Sequence, residues 1–107
     1  MTLAPIALFV YKRIRHLTQT VDALRKNYLS KDSDLFIYSD GPKNNSEVNT
    51  IGEIRSYLKT INGFKSVSVV ERSENIGLAN SIILGVTEIL ENHKKIIVME
   101  DDLISSP

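Results

Sequence analysis

Lys95-Ile96-Ile97-Val98-Met99-Glu100-Asp101-Asp102 turns from apolar to acidic in a single step. Lys95 to Met99 reads as a buried β-strand, and the acids follow its carboxyl end. In open α/β sheets, ligands bind outside the carboxyl ends of the strands. Adjacent carboxylates repel one another and are tolerated where a cation or several donors offset their charge. The triplet is therefore the first candidate for chemistry. Its other reading is a solvated acidic loop that caps a following helix.

Working outward, three more strand-like runs precede this one, each followed by a helical pattern. Pro5-Ile6-Ala7-Leu8-Phe9-Val10 is a continuous apolar run, as expected of a strand covered on both faces. Leu17, Val21, Leu24 and Tyr28 then recur at helical spacing. Asp34 to Ser39 is a second strand, ended by the turn residues Asp40-Gly41-Pro42. Asn44, Asn45 and Ser46 offer N-caps to a second helix carrying Val48, Ile51, Ile54, Leu58 and Ile61, which Asn62-Gly63 closes. Ser66 to Glu71 is a third strand. Leu78, Ile82, Val86 and Ile89 mark the apolar face of a third helix, ending near Asn92-His93. The order βαβαβαβ predicts an α/β fold with parallel strands joined by right-handed helical crossovers.

The chain has 107 residues, enough for one domain with a modest core. Thirteen basic and thirteen acidic residues give zero net charge, which argues against a general nucleic-acid binder. The signs are segregated: Lys12, Arg13 and Arg15 lie near the start, and Glu100, Asp101 and Asp102 near the end. There is no cysteine, hence no disulfide framework and no thiolate metal site. Pro5 to Val10 is too short to span a membrane and lacks the basic start of a signal peptide. A cytoplasmic location is the expectation, with any membrane association supplied by regions outside this chain. The sequence stops soon after its best motif, so a piece of a longer chain is expected, with 1–107 as one half-domain.

Each strand is followed by a polar segment with two readings. In Tyr11-Lys12-Arg13, Arg13 either stacks on a base or pairs with a phosphate, or the segment is a solvated turn. Asp40 either accepts from a nucleobase N–H or is half of an Asp-Gly turn. Ser73-Glu74-Asn75-Ile76-Gly77 either approaches a diphosphate at a helix N-terminus or is a cap, with Gly77 allowing close packing. Glu71 and Glu74 would repel phosphate there. In a parallel sheet all four segments share one edge, so one ligand could touch them all. Competing motifs are missing: neither Gly-x-Gly-x-x-Gly nor a P-loop occurs, and bases rather than acids follow the first strand. His16 and His93 lie near helix ends, and no Ser/His/Asp triad can be assembled.

This pattern resembles the nucleotide-sugar-binding half of GT-A fold glycosyltransferases, closest to family 2 and to the N-acetylglucosaminyltransferase I type. The resemblance covers nearly the whole chain. Val10-Tyr11-Lys12-Arg13 matches the uridine-holding segment, with Lys12 where Asn is usual. Ser39-Asp40-Gly41 matches the uracil-binding Asp, and Asn75-Ile76-Gly77 matches the Asn-x-Gly that opens the third helix. Glu100-Asp101-Asp102 matches the Glu-Asp-Asp variant of the Asp-x-Asp metal motif.

The resemblance implies a three-layer, Rossmann-like half-domain with a four-stranded parallel sheet in the order 3-2-1-4. It assigns Arg13 to the base, Asp40 to the uracil N–H, and Tyr11, Asn75 and Gly77 to the nucleotide sugar. Glu100 and Asp101 would contact ribose and sugar, and Asp102 would bind Mn²⁺ or Mg²⁺. The implied activity is transfer of a sugar, most simply from a UDP-sugar, to the hydroxyl of a glycan or other acceptor. The catalytic base is expected beyond Pro107, so this chain alone is expected to bind donor without turnover. Exposure of the fourth strand by truncation would promote association. The alternative is a non-catalytic α/β interaction or regulatory module.

Overall fold

Alternation along the strands sets the layers. Ile6, Leu8 and Val10 point to one face of the sheet and Ala7 and Phe9 to the other, and all five are buried. The computed structural model describes residues 4–26 and 30–100. Tyr28, assigned above to the first helix, and Asp101 and Asp102 lie outside the described residues.

The elements are β1 (Ile6–Val10), α1 (Ile14–Arg25), β2 (Asp34–Ser39), α2 (Val48–Leu58), β3 (Ser66–Glu71), α3 (Leu78–Leu90) and β4 (Ile97–Glu100). Short 3₁₀ turns occupy Ser30–Asp32 and Asn45–Glu47. The strands form one parallel sheet in the order β3-β2-β1-β4. Ile6 pairs with Leu35 on one side and Ile97 on the other.

The chain steps outward from β1 to β3 and then crosses back to β4. Right-handed crossovers therefore put α1 and α2 on one face and α3 on the other. The cores agree. Leu17 and Val21 of α1 and Ile54 and Leu58 of α2 pack with Leu8, Leu35 and Ile37. Ile89 of α3 packs with Ala7, Phe9 and Tyr38 on the opposite face. Burying a side chain such as Leu8 contributes about 1.5–3 kcal/mol. β1 lies where strand order reverses, between β2 and β4, and this is where a crevice opens.

Three local expectations are corrected. The buried residues of α3 are Ser81, Gly85 and Ile89, while Leu78 is 47% exposed and Ile82 and Val86 only flank the contact. The Phe9 and Tyr38 rings, stacked with centroids 5.2 Å apart, already fill this layer. A Cβ on Gly85 would come within 2.9 Å of the Phe9 ring and 3.0 Å of Tyr38, so the helix presents its small residues there.

Ile61 is buried but lies past the end of α2, which stops at Leu58. The chain turns there and reaches Gly63 at φ +91°, with the Arg25 side chain against the position a Cβ would take.

β4 is an edge strand and not a buried one, with Ile97 48% and Val98 41% exposed. Its apolar composition reads as burial, but its place in the sheet leaves one side unpaired. Among the described residues, no helix is long and apolar enough to cross a membrane.

Candidate functional site

A cleft of about 370 Å³ opens at the carboxyl ends of β1, β2 and β4. Phe9 and Val10 of β1 line it, with Tyr11, Lys12 and Arg13 of the following loop. Asp40 and Lys43 come from beyond β2, Asn75 and Gly77 from the loop into α3, Leu78 and Ser81 from its first turn, and Glu100 from β4. Six expected residues thus meet at one opening: Tyr11, Arg13, Asp40, Asn75, Gly77 and Glu100. Asp101 and Asp102 lie outside the described residues.

Asp40 organises the cleft. It is buried, and its backbone N–H donates to the Val10 carbonyl at 3.0 Å, which holds the end of β2 to the end of β1. One carboxylate oxygen, Oδ1, accepts from the N–H groups of Gly41 and Ile76, both at 2.9 Å. The other, Oδ2, accepts from the Gly77 N–H at 3.0 Å and the Asn75 side-chain amide at 3.2 Å. A carboxylate has about four lone-pair positions, so the chain's own donors occupy its acceptor capacity. Asn75 does not cap α3; its amide also donates to the Gly41 carbonyl at 3.0 Å.

The two glycines of this unit are needed for different reasons. Gly77 has φ 84° and ψ 156°, a region open essentially to glycine alone, and a Cβ there would touch nothing within 4 Å. Its conformation, and not close packing, is what requires glycine. Gly41 has no positive φ, so it is not the left-handed residue of a turn. A Cβ on Gly41 would lie 2.5–2.8 Å from the Glu74 backbone, so the loop from β3 rests directly on it.

Arg55 on α2 escaped the sequence reading. Its guanidinium donates to Ser39 Oγ at 3.0 Å and to the carbonyls of Ser39, Asp40 and Arg72 at 3.2, 3.3 and 2.7 Å. The Glu71 carboxylate is 3.9 Å away. Arg55 thereby ties together the chain leaving β2 and the chain leaving β3. The available signal was its spacing, four residues after Ile51 and three before Leu58, which puts a charge on the core-facing stripe.

Glu47 gathers the cationic wall. Its carboxylate accepts from the Tyr11 hydroxyl, from Lys12 Nζ at 2.8 Å and from the Lys43 N–H at 2.8 Å. Lys12 and Lys43 also lie 5.4 and 6.0 Å from the centre of the Tyr11 ring. The Lys12 and Tyr11 hydrogen bonds hold the Glu47 carboxyl down at about 2, from an ordinary 4.5. Burial, then the Glu47 carboxylate, push the Tyr11 phenol up to about 12, so it stays protonated and donates.

A carboxyl whose folded pKa is depressed contributes stability above its unfolded pKa and loses it as pH falls through the folded one. Wild-type protein is therefore expected to lose stability between about pH 4.5 and 2 by more than Glu47→Gln does. Urea melts at pH 5 and pH 2.5 on both proteins test this, and equal losses would exclude Glu47 as a source. The pair is partly exposed, so added salt should shrink the difference.

The cleft therefore has an apolar floor, a cationic wall after β1 and β2, and carboxylates on the β2 and β4 sides. Among the described residues, no group of three or more His, Cys, Asp or Glu side chains could hold a metal ion. The arrangement suits a ligand with an apolar or aromatic part and an anionic part. Comparison with protein-family models, with curated proteins and with solved structures finds no match for this chain.

Proposed function

We propose that this chain binds a nucleotide sugar, as the donor-binding part of a metal-dependent glycosyltransferase acting in the cytoplasm. The observation that carries the reading is the convergence of Tyr11, Arg13, Asp40, Asn75, Gly77 and Glu100, described residues from all four strand ends, on one cleft where strand order reverses. Tyr11 and Arg13 offer an aromatic face and a guanidinium to a base, and Lys12 and Lys43 offer charge to phosphates. The resemblance puts Asp40 against the uracil N–H. Its filled acceptor positions make it instead, in this proposal, the residue that orders the Asn75–Gly77 turn.

Glu100 supplies a hard oxygen donor at the cleft, the type that suits Mn²⁺ or Mg²⁺. Such ions take few protein carboxylates and complete their shell with water and phosphate oxygens, so a partial donor set fits them. Asp102 would hold the ion, with Glu100 and Asp101 toward ribose and sugar. Bound there, the ion would offset the negative charge of the diphosphate. The acceptor would be a hydroxyl compound such as a glycan, and the base that deprotonates it is not among these residues.

Thermal melts with UDP and Mn²⁺ test the proposal. At a ligand concentration of one hundred times Kd, binding stabilises by about 2.7 kcal/mol, so Tm should rise on the order of 10 °C. Asp102→Asn should keep the unliganded Tm and lose the Mn²⁺-dependent part of the rise. If UDP leaves wild-type Tm unchanged at every Mn²⁺ concentration, the donor-site reading fails and an interaction module takes its place.

A further inference from the structure

Glu47 ends the short 3₁₀ turn before α2, and its side chain is only 12% exposed. Its two carboxylate oxygens are held differently. Oε1 accepts from the Tyr11 hydroxyl and from the Lys43 N–H, which tie it to the loops after β1 and β2. Oε2 accepts from Lys12 Nζ, at the end of a side chain that is 48% exposed. Departure of Lys12 would leave Glu47 with two donors still in place. The carboxylate is thus the fixed partner of this pair and the lysine the movable one.

Lys12 and Lys43 line the cleft with Arg13, whereas Glu47 lies just outside the lining. An ammonium already paired at 2.8 Å attracts an incoming anion less than a solvated one does. It keeps other donor hydrogens, but an anion that takes one of them also approaches the Glu47 charge and is repelled by it. The Glu47 carboxyl, held down at about 2 by Lys12 first and then by Tyr11 and Lys43, is ionised at neutral pH. Any phosphate that reaches Lys12 therefore meets a rival acceptor.

We infer that Glu47 is a specificity-determining residue: its Oε2 and the ligand's phosphate compete for Lys12, which sets how strongly the phosphates are held relative to the uncharged nucleoside. The inference rests on the nucleotide-sugar reading, in which Lys12 faces the phosphates. Partly exposed ion pairs are weak, so Glu47→Gln should tighten UDP binding about 5-fold and leave uridine affinity unchanged. A glutamine still presents an oxygen to the Tyr11 hydroxyl and the Lys43 N–H, which keeps both loops in place. Calorimetric titration with UDP at fixed Mg²⁺, and displacement of UDP by uridine, provide the readout. Lys12→Met should lose more UDP affinity in the Glu47→Gln background than in wild type, because there the lysine has no rival partner.

A second measurement needs no change at Glu47. In ¹³C-labelled wild type, the Glu47 carboxylate signal should move on saturation with UDP and Mg²⁺ toward its position in Lys12→Met. An unmoved signal would overturn this inference and leave the donor site standing. Equal or weaker UDP binding in Glu47→Gln would do the same, by showing that Glu47 aims Lys12 at the ligand. Equal losses from Lys12→Met in the two backgrounds would overturn it by showing that the two charges act independently. A matching gain for uridine would overturn it by placing the change in the cleft as a whole. If wild type binds no UDP, the donor-site reading and this inference fall together.

Discussion

Asp40→Ala is expected to lose about 3 kcal/mol of folding stability and to abolish UDP binding. The carboxylate accepts four hydrogen bonds, three of them from backbone N–H groups. Hydrogen bonds to a charged group are worth about 1.5–3 kcal/mol each, but bonds that share one acceptor are not additive. Removing the side chain also lets part of the loop reach water, so the loss stays well below the sum. Gly77 keeps its unusual φ because Asp40 holds its N–H and that of Ile76.

Without that anchor the turn into α3 has no fixed geometry, and the Asn75 and Gly77 side of the cleft is lost. Asp40→Asn should fall between Ala and wild type, since an amide oxygen offers two acceptor positions and its NH₂ faces other donors. Urea unfolding of the three proteins measures the ranking. A wild-type midpoint in Asp40→Ala would mean that the carboxylate does not hold the loop.

Arg55→Met should cost about 2–3 kcal/mol while leaving the aliphatic packing of α2 in place. Four acceptors each lose a guanidinium donor: Ser39 Oγ and the carbonyls of Ser39, Asp40 and Arg72. Ser39 is fully buried, so water does not readily replace the guanidinium there. Its carbonyl keeps the Arg72 N–H at 2.9 Å, which limits the loss. Arg55→Lys should restore little, because an ammonium is a point donor without the planar fork that spans these carbonyls. Thermal unfolding gives the size of the effect. Amide exchange at Arg72 gives its place: faster exchange in Arg55→Met shows that the β2 and β3 ends have come apart.

Local rules made the strands and their order in the chain legible. β2 and β3 span the residues expected of them, because β-branched and apolar runs end there at turn residues. The α/β class and the sheet order 3-2-1-4 also agree with expectation. Six of the expected site residues meet at one cleft because parallel strands carry their carboxyl ends to a common edge.

Long-range contacts were not legible. The α3 stripe centres on Ser81, Gly85 and Ile89 because two aromatic rings from β1 and β2 set how close the helix comes. Gly41 reads as a turn glycine, yet it is required by the Glu74 backbone, 33 residues later in the chain, lying against it. Glu47 and Arg55 look like ordinary helix charges until the loops they serve are in place.

The pattern of apolar and polar residues by itself determined the α/β alternation, the parallel sheet and the edge where polar segments gather, since each follows from periodicity and crossover handedness. Only the tertiary structure decided what those segments do to one another. It filled the acceptor positions of Asp40, drew Lys12 onto Glu47, exposed one side of β4 and left the Ser81 hydroxyl without a partner. Hydrogen-bond capacity and close packing depend on neighbours distant in the chain, and periodicity carries no information about them.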